Sequence, residues 1–382
     1  MLRLRLLAST VGVPLPTVEP HLCTSMSHTR DTVEAIALPV LALAGGLGLF
    51  GVFVWFGGHD PLQVWALLFR GAFGDAFSLQ NTLQRAAPLM LTALCVALPA
   101  RAGLTIIGGE GALVLGGLAC AALPLMLPLP GGGIGTALLL MAAAAAGGAW
   151  IALAGWLRQW RGVNETISSL LLGYIAIALF KHIVEGPLRD PASLNKPSTL
   201  PLPEALRIGS IGSYDVHWGL VFGIVFCLLA AFWLGATTHG FATRVVGGNL
   251  RTARLVGLPA NRLVIVACAL GGAAAGLAGG IEVAAVHTSA NASLIVGLGY
   301  TGILVSFVAR HHPLAIIPVA VLFGGFLAAG SLLQRRMGLP DASVQVLMGF
   351  CFVFILASEA WRGRLGELFV LRRGPLRVPA AA

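Results

Sequence analysis

Long apolar runs alternate with short polar segments along almost the whole chain. Ten runs come close to the roughly 20 residues that an α-helix needs to cross a bilayer. The pattern predicts an all-α fold: a polytopic integral membrane helical bundle of about ten transmembrane helices. The second and eighth spans are short, so we expect irregular or protein-shielded ends there. The predicted spans are 35–56, 86–100, 104–128, 134–156, 166–182, 217–236, 263–284, 295–309, 313–333 and 344–361.

Composition supports a membrane protein. Hydrophobic residues make up 57% of the 382 residues and charged residues only 10%, whereas soluble domains carry about 25% charged residues. The 50 glycines are typical of helices that pack closely in lipid. The net charge of +9 comes from dispersed basic residues without a stripe or dense run, so we expect no nucleic-acid partner.

The distribution of basic residues predicts the orientation. With the N-terminus in the cytoplasm, 16 of the 24 basic residues fall in cytoplasmic segments, as the positive-inside rule requires. Both termini are therefore predicted to be cytoplasmic, in a multi-pass protein of the bacterial inner membrane. The other eight basic residues are Arg70, Arg85, Lys181, Arg189, Lys196, Arg207, Arg335 and Arg336.

Three regions follow from this topology. We predict a cytoplasmic N-terminal leader at 1–33, a transmembrane permease domain at 34–362 and a basic cytoplasmic tail at 363–382. The leader has no apolar core of signal-peptide length, and we expect the natural start of translation at Met26. Two outer loops are long: one contains the helical pattern DPLQVWALLF, and the other, with five prolines, predicts an irregular cap.

A carboxylate lies between glycines in the apolar segment RAGLTIIGGEGALVLGG, at Glu110. A charge at membrane depth is costly and is commonly functional or paired. Gly108, Gly109 and Gly111 permit a break in the helix, which is tolerated where the backbone is covered by protein or lines a cavity. Two interpretations stay open: a pathway-lining carboxylate, or a helix-cap or bundle-pairing residue with Arg101 as a candidate partner.

The segment GVNETISSLLLGY, residues 162–174, begins with a second polar group. Asn164 suits the N-cap of a helix and Glu165 suits its first turn, which explains both residues without a further role. A role as an inner gate is the alternative.

The predicted cytoplasmic loop 237–262 contains THGFATRVVGGNLRTARLVGLPANR. Asn249 can cap a short helix over LRTARLV, and Gly257 can end it. A helix this short is marginal on its own and needs a docking surface. The alternative is a solvated basic loop that only fixes topology.

The remaining polar groups suggest little chemistry. Glu282 lies near the outer end of its span, where its carboxylate can reach water. His311 and His312 follow Arg310 at a membrane edge without a third ligand, so we expect an interfacial pair and no metal site. The six cysteines lack metal-ligand or redox spacing.

Catalytic motifs are absent from the sequence. There is no G-x-x-x-x-G-K-[ST] phosphate loop, G-x-S-x-G or H-E-x-x-H. We therefore predict that the chain is not an enzyme and holds no cofactor, and that energy comes from a partner or an ion gradient. An ion-coupled secondary transporter using Glu110 or Glu282 is the alternative to a partner-driven permease.

Several segments, taken in order, resemble one family over residues 60–360. They are NTLQRAAPLMLTALCVAL, RAGLTIIGGEG, GVNETISSLLLGYIA, EGPLRDP, ATRVVGGNLRTARLVGL, GLAGGIEV and GLGYTGILVSFVARHHPL. The chain resembles permeases of bacterial ABC importers for nucleosides and simple sugars that work with basic-membrane-protein-type lipoprotein receptors. Where that family reads F-N-I-G-x-E-G-Q, this chain has Ile106 and Ala112 in place of Asn and Gln, and Gly173 replaces another Asn, which puts nucleoside specificity in doubt.

The resemblance implies a passive half of a translocation pathway. Its partners would be an ATP-binding subunit that consumes the ATP, a second, different permease chain, a periplasmic or lipoprotein solute-binding receptor, and the lipid bilayer. The expected cargo is a small polar solute such as a nucleoside or simple sugar. The expected pathway residues are Gly108, Gly109, Glu110, Gly111, Glu282 and Tyr300; the expected residues of the coupling helix and its flanks are Arg244, Asn249, Arg251, Arg254 and Gly257.

Overall fold

The computed structural model describes residues 23–193, 196–212 and 215–360. This part of the chain is helical and contains no named strand, only two isolated β-bridges. The helices are α1 Cys23–Phe56, α2 Pro61–Phe69, α3 Ala76–Arg101, α4 Gly109–Met126, α5 Gly133–Arg161, α6 Glu165–Glu185, α7 Gly219–Ala236, α8 Thr238–Gly248, α9 Leu250–Leu255, α10 Ala260–Ile281, α11 Leu298–Val308, α12 Pro313–Met337 and α13 Ala342–Ala360.

Nine helical segments within the described residues are long and apolar enough to span a membrane. A shorter apolar segment, Ala292–Val308, corresponds to the eighth predicted span and is short as expected. The prediction of about ten membrane helices is therefore confirmed. The predicted tail 363–382 and residues 1–22 of the predicted leader lie outside the described residues.

Two predicted spans have different bounds in the structure. The second is not short: α3 runs over 26 residues and begins ten residues before the predicted start at 86, because Asn81, Gln84 and Arg85 are tolerated within the helix. The third does not begin at 104. Gly103 has a φ of +81°, a conformation that favours glycine, and the helix resumes only at Gly109.

The described residues form two compact units. Within them, the smaller unit comprises residues 23–45 and 354–360, and the larger comprises residues 46–353. In the smaller unit the backbone of Gly45 lies against the ring of Phe354. Every site considered below lies in the larger unit.

Helix α10 is at the centre of the larger unit and packs against α3, α4 and α5. Glycines bring these backbones into contact. A Cβ on Gly147 of α5 would lie 2.7 Å from the Cα of Gly276, and one on Gly116 of α4 would overlap the carbonyl of the same residue. Such glycine seams give close van der Waals packing where lipid offers no hydrophobic driving force.

The two long outer loops fold as their sequences suggest. The pattern DPLQVWALLF forms α2, with the Asp60 carboxylate accepting the Leu62 N–H at 3.0 Å. A five-residue π-helical turn at Arg70–Gly74 leads from α2 towards α3. The described part of the proline-rich loop contains a single helical turn, Glu204–Leu206, and is otherwise irregular.

Candidate functional site

Glu110 lies in the first turn of α4 and is only 1% exposed. Its two carboxylate oxygens are both used. Oε1 accepts the backbone N–H of Gly297 at 2.9 Å, and Oε2 accepts that of Gly299 at 2.6 Å. Both donors belong to the N-terminus of α11, where Gly297 is the N-cap with a φ of +83°. The carboxylate therefore caps a second helix far away in sequence.

Two helix N-termini meet at this carboxylate. Glu110 lies at the positive end of the dipole of its own helix and also at that of α11, and each terminus favours a negative charge. The approach is close because Gly299 has no side chain: a Cβ there would overlap the backbone nitrogen of Glu110. Of the two interpretations from sequence, this geometry matches the cap. Arg101 is not the partner of Glu110, since its Nε donates to the carbonyl of His311 at 3.0 Å.

The segment before Glu110 is held by α6. Residues 102–108, the broken segment, run without regular helix between α3 and α4. The Ile107 N–H donates to Ser169 Oγ at 3.1 Å, and Thr166 Oγ1 donates to the Thr105 carbonyl at 3.0 Å. One turn further on, a Cβ on Gly111 would lie 2.7 Å from the Cα of Gly173. The break that the glycines suggested is present, and it is covered by protein.

The residues that replace polar family positions do not line open space. Ile106 and Ala112 are both fully buried within the chain, in an apolar cluster with residues of α5 and α10. Gly173 is also buried, and a Cβ there would lie 3.7 Å from the Cα of Gly108. Their lost polarity is therefore a change in interior packing, and the argument against nucleoside specificity loses its basis.

Asn164 is the N-cap of α6, as expected. Its Oδ1 accepts the N–H groups of Thr166 at 2.9 Å and Ile167 at 3.2 Å. Glu165 forms an ion pair with Arg158 across the α5–α6 turn, with 3.2 Å between Oε2 and Nε. Local helix chemistry accounts for both residues.

Tyr300 differs from its surroundings because its side chain is exposed at the start of a largely buried helix. It is 39% exposed, while its neighbour Gly299 packs directly on Glu110. Tyr174 of α6 is close enough for charges on the two phenols to interact, and so is Glu110. The structure thus brings the expected pathway residues 108–111 and Tyr300 together around the start of α4.

Glu282 belongs to a different place and does not reach water freely. It is 9% exposed and begins a π-helical segment, Glu282–His287, that continues α10. The sequence-based expectation of a solvated carboxylate is therefore wrong, because the outer loop covers this segment. His287 Nε2 lies 3.7 Å from Glu282 Oε2.

The cover is a run of backbone hydrogen bonds from the proline-rich loop. Thr199 N–H donates to Ala290 O at 3.0 Å, Leu202 N–H to Thr288 O at 2.7 Å, and Ile208 N–H to Ala284 O at 3.0 Å. The loop closes over the connection between α10 and α11.

The loop predicted to be cytoplasmic carries two helices where the sequence suggested one. The predicted short helix is α9, six residues long, with Asn249 Oδ1 accepting the N–H groups of Arg251 at 2.9 Å and Thr252 at 3.1 Å. Gly257 follows it with a φ of +82°. Helix α8 precedes it and was missed, because three of its eleven residues are glycines.

Helix α9 presents an apolar tip on a basic surface. Ala253 is fully buried, whereas Leu255 is 82% exposed and Val256 is also exposed. Arg244, Arg251 and Arg254 surround this tip on α8 and α9 and are exposed.

Helix α8 connects this surface to the broken segment. The Gly247 backbone lies against Arg101 and Gly103, with 3.2 Å between its carbonyl oxygen and the position of a Cβ on Gly103. Ala242 and Val246 of α8 share one buried cluster with Leu104 and Ile106 of the broken segment. A displacement of α8 and α9 would therefore press on the segment that leads to Glu110.

Sequence reasoning missed the residues that complete these sites. Gly297 and Gly299 are separated from Glu110 by 187 and 189 positions, and no local pattern marks them. His217 was also missed: it is buried, and its Nδ1 accepts the Gly219 N–H at 3.1 Å at the start of α7.

Among the described residues, no group of three or more His, Cys, Asp or Glu side chains is arranged to hold a metal ion. Cysteines 95, 120, 227, 268 and 351 are free thiols and buried.

Comparison with known proteins places these features in a family context. Residues 78–356 match the family described as the branched-chain amino acid transport system / permease component. The chain is 32% identical over 359 residues to the glucose ABC transporter permease protein TsgB13 of Haloferax volcanii, covering 90% of this chain and 94% of that protein.

Two relatives come from Bacillus subtilis. The guanosine ABC transporter permease protein NupP is 26% identical over 350 residues, covering 87% of this chain and 96% of NupP. NupQ, also a guanosine ABC transporter permease protein, is 26% identical over 292 residues, covering 74% of this chain and 91% of NupQ.

A solved structure, PsaBC from Streptococcus pneumoniae in complex with Fab, aligns with 77% of this chain and 94% of its own at 12% identity and a TM-score of 0.43. No conclusion is based on this likeness.

Proposed function

Because this chain belongs to the family of permease components of branched-chain amino acid-type transport systems, as a multi-pass permease subunit of an ABC transporter, we propose that it forms half of the translocation pathway of an importer for a nucleoside or a simple sugar. ABC permeases of this family work with a separate ATP-binding subunit and a solute-binding receptor. The cargo rests mainly on one observation: relatives that align over more than nine-tenths of their own length are named for glucose and guanosine.

The second half of the pathway is a different permease chain. Bacillus subtilis has two distinct proteins named as guanosine permeases, and this chain is similar to both. Such a pair supports assembly of two unlike permeases around one pathway. We further propose that the receptor is a lipoprotein or a free periplasmic protein that docks on the outer face.

The chain itself needs no cofactor and hydrolyses no ATP in this proposal. Closure of the ATPase subunits moves α9, whose apolar tip fills a groove on the ATPase and whose arginines pair with acidic groups there. Helix α8 passes this movement to the broken segment. Glu110 then carries it to α11, because its carboxylate joins the starts of α4 and α11.

Reconstitution tests this proposal. The chain alone in liposomes should show neither ATP hydrolysis nor concentrative uptake, and the complete transporter with its receptor should accumulate labelled guanosine or glucose only when ATP is hydrolysed. The control is the same complex with its ATPase inactivated. Accumulation by the lone chain on a proton or sodium gradient would contradict the proposal and favour an ion-coupled transporter.

A further inference from the structure

Tyr174 has an unusual environment for a membrane helix. It is the tenth residue of the 21-residue α6, roughly 14–17 Å from either end at 1.5 Å per residue. Tyrosines that face lipid gather at the membrane interfaces, where the hydroxyl meets water. Tyr174 is 57% exposed at mid-helix, so its hydroxyl would lie in hydrocarbon if this face met lipid.

A polar group in hydrocarbon without a partner costs several kcal/mol. Neither the hydroxyl of Tyr174 nor that of Tyr300 is hydrogen-bonded to another described residue. The cost is avoided if this face borders an aqueous pathway, where water or a solute supplies the partner.

The two tyrosines flank the same turn of α4. Gly173, next to Tyr174, contacts α4 at Gly111, and Gly299, next to Tyr300, contacts it at Glu110. The chain has only three tyrosines, and two of them lie beside the start of α4. Tyr300 stands on a helix that is buried on either side of it, at residues 298–299 and 302–305, so its exposed ring is not part of a broad lipid-facing surface.

The rest of this face is apolar. The side chains of Ile167, Leu171 and Ile175 lie with Tyr174 at positions spaced by one and two helical turns, and all are exposed. The polar groups nearby are already used: both oxygens of Glu110 accept N–H groups, and Thr301 Oγ1 donates to the Gly297 carbonyl.

This chemistry discriminates between the two cargo classes. A hexose carries hydroxyls around its whole ring, and each one that loses water without a new hydrogen bond costs free energy. A nucleobase offers two apolar faces that stack on aromatic side chains, and its ribose needs few partners.

We propose that Tyr174 and Tyr300 form an aromatic contact in the pathway that stacks on the base of a nucleoside. The inference rests on the proposed function and narrows its cargo to nucleosides, although the relative of highest identity among those described above is named for glucose.

The first arm of the test measures exposure to water and needs no cargo. Tyr174→Cys and Tyr300→Cys are introduced into the complete transporter in native membranes and treated with a charged, membrane-impermeant thiol reagent during ATP hydrolysis. Both positions should react, whereas Phe232→Cys on the exposed apolar face of α7 should not. The background should be low, because the described native cysteines are buried.

The second arm measures transport per assembled complex. Leucine at Tyr174 or Tyr300 should lower guanosine uptake about tenfold, as expected for loss of one stacking contact. Phenylalanine keeps the ring and should lower it by less than about threefold. Phe232→Leu is the matched loss of an exposed aromatic ring and should leave uptake unchanged. Guanosine, but not glucose, should slow thiol labelling at both cysteines.

The outcomes separate this inference from the proposed function. Wild-type uptake of glucose without guanosine would overturn the nucleoside assignment and leave the proposed function standing. Uptake of neither solute by wild type would contradict the proposed cargo, and the nucleoside contact with it. Cysteines that react no faster than Phe232→Cys, or leucine variants that lose the second permease chain, would assign the tyrosines to lipid or to the partner and overturn the inference.

Discussion

At the scale of single residues, Glu110 acts as a clamp whose strength can be estimated from its partners. Hydrogen bonds to a charged acceptor contribute about 1.5–3 kcal/mol each, and favourable helix-terminus positions contribute about 0.3–2 kcal/mol. These terms offset the cost of holding a carboxylate that is 1% exposed. Losing either N–H acceptor should therefore loosen α11 from α4.

Replacement of Glu110 by glutamine should keep the shape and lose half of the clamp. The amide oxygen can still accept one N–H, but the amide nitrogen faces the other donor, which costs about 1–3 kcal/mol. We expect a lower melting temperature of the purified transporter and at least a tenfold loss of uptake. Glu204→Gln in the exposed outer turn is the control, and equal effects of the two changes would contradict a clamp.

Replacement of Gly299 by alanine tests the close approach of α11. The new Cβ would overlap the backbone of Glu110, and a backbone cannot move aside as a flexible side chain can. Uptake and thermal stability should both fall sharply. Gly349→Ala is the matched control: nothing lies within 4 Å of a Cβ there, so the change should be neutral or stabilise its helix by about 0.5–1 kcal/mol. A stable, active Gly299→Ala transporter would disprove the contact.

The sequence alone marked Glu110 but not its partners. A carboxylate between glycines at membrane depth stands out locally. Gly297 and Gly299 act through their backbone N–H groups, which every non-proline residue has, so no residue type identifies them.

At the scale of elements, α9 depends on its cap more than any longer helix does. Its six residues span about 9 Å, and a helix this short is unstable alone. The Asn249 side chain satisfies two of its first N–H groups, and Ala253 anchors it in the buried cluster. Rigidity here is local and rests on few contacts.

Replacement of Asn249 by alanine should uncouple ATP hydrolysis from transport. Loss of the cap costs about 1 kcal/mol, which a six-residue helix cannot absorb while it transmits force. We expect membrane insertion and receptor binding to persist, with ATP hydrolysis continuing and uptake reduced. Asp60→Ala removes a comparable cap from the short outer helix α2 and should not uncouple. The ratio of transported solute to hydrolysed ATP distinguishes the two variants.

The start of α7 should make stability depend on pH. Burial lowers the pKa of His217 below its usual 6.5, and its neutral Nδ1 accepts the Gly219 N–H. A base with a lowered pKa in the folded state contributes stability above the unfolded pKa and loses it as the pH falls through the folded value. Thermal unfolding at pH 7.5 and pH 5 should show this loss, and His217→Asn should reduce it. His239→Asn, at an exposed site on α8, should leave it unchanged.

Element boundaries followed from hydropathy except where backbone chemistry intervened. Apolar runs placed the membrane helices, because bilayer thickness sets their length. The third span failed at its start because Gly103 and the 102–108 segment interrupt an apolar run that composition cannot separate from helix. Helix α8 failed because glycines lower helix propensity, and tertiary packing of Ala242 and Val246 overrides that.

At the scale of the whole molecule, orientation rests on the charge of the loops. Sixteen of 24 basic residues lie on the predicted cytoplasmic side, and the surface around α9 is rich in exposed arginines. Both features predict that the 237–262 loop faces the ATPase.

Cysteines on the two faces test the orientation directly. A cysteine at Thr252, exposed on α9, should react with an impermeant thiol reagent only from the cytoplasm and should cross-link to the ATPase. A cysteine at Ser210, exposed in the outer loop, should react only from the periplasm. The reverse pattern would show that the topology is inverted and would remove the assignment of α9 as the coupling helix.

The glycine seams restrict how this chain can evolve. An alanine codon is one nucleotide away from any glycine codon, so this substitution arises continually during replication. At Gly147 or Gly276 the added methyl would meet the backbone of a neighbouring helix, and selection must remove it. Descendants that adapt to a thicker or warmer membrane must therefore change their lipid-facing residues, while the interior between α4, α5 and α10 stays as it is.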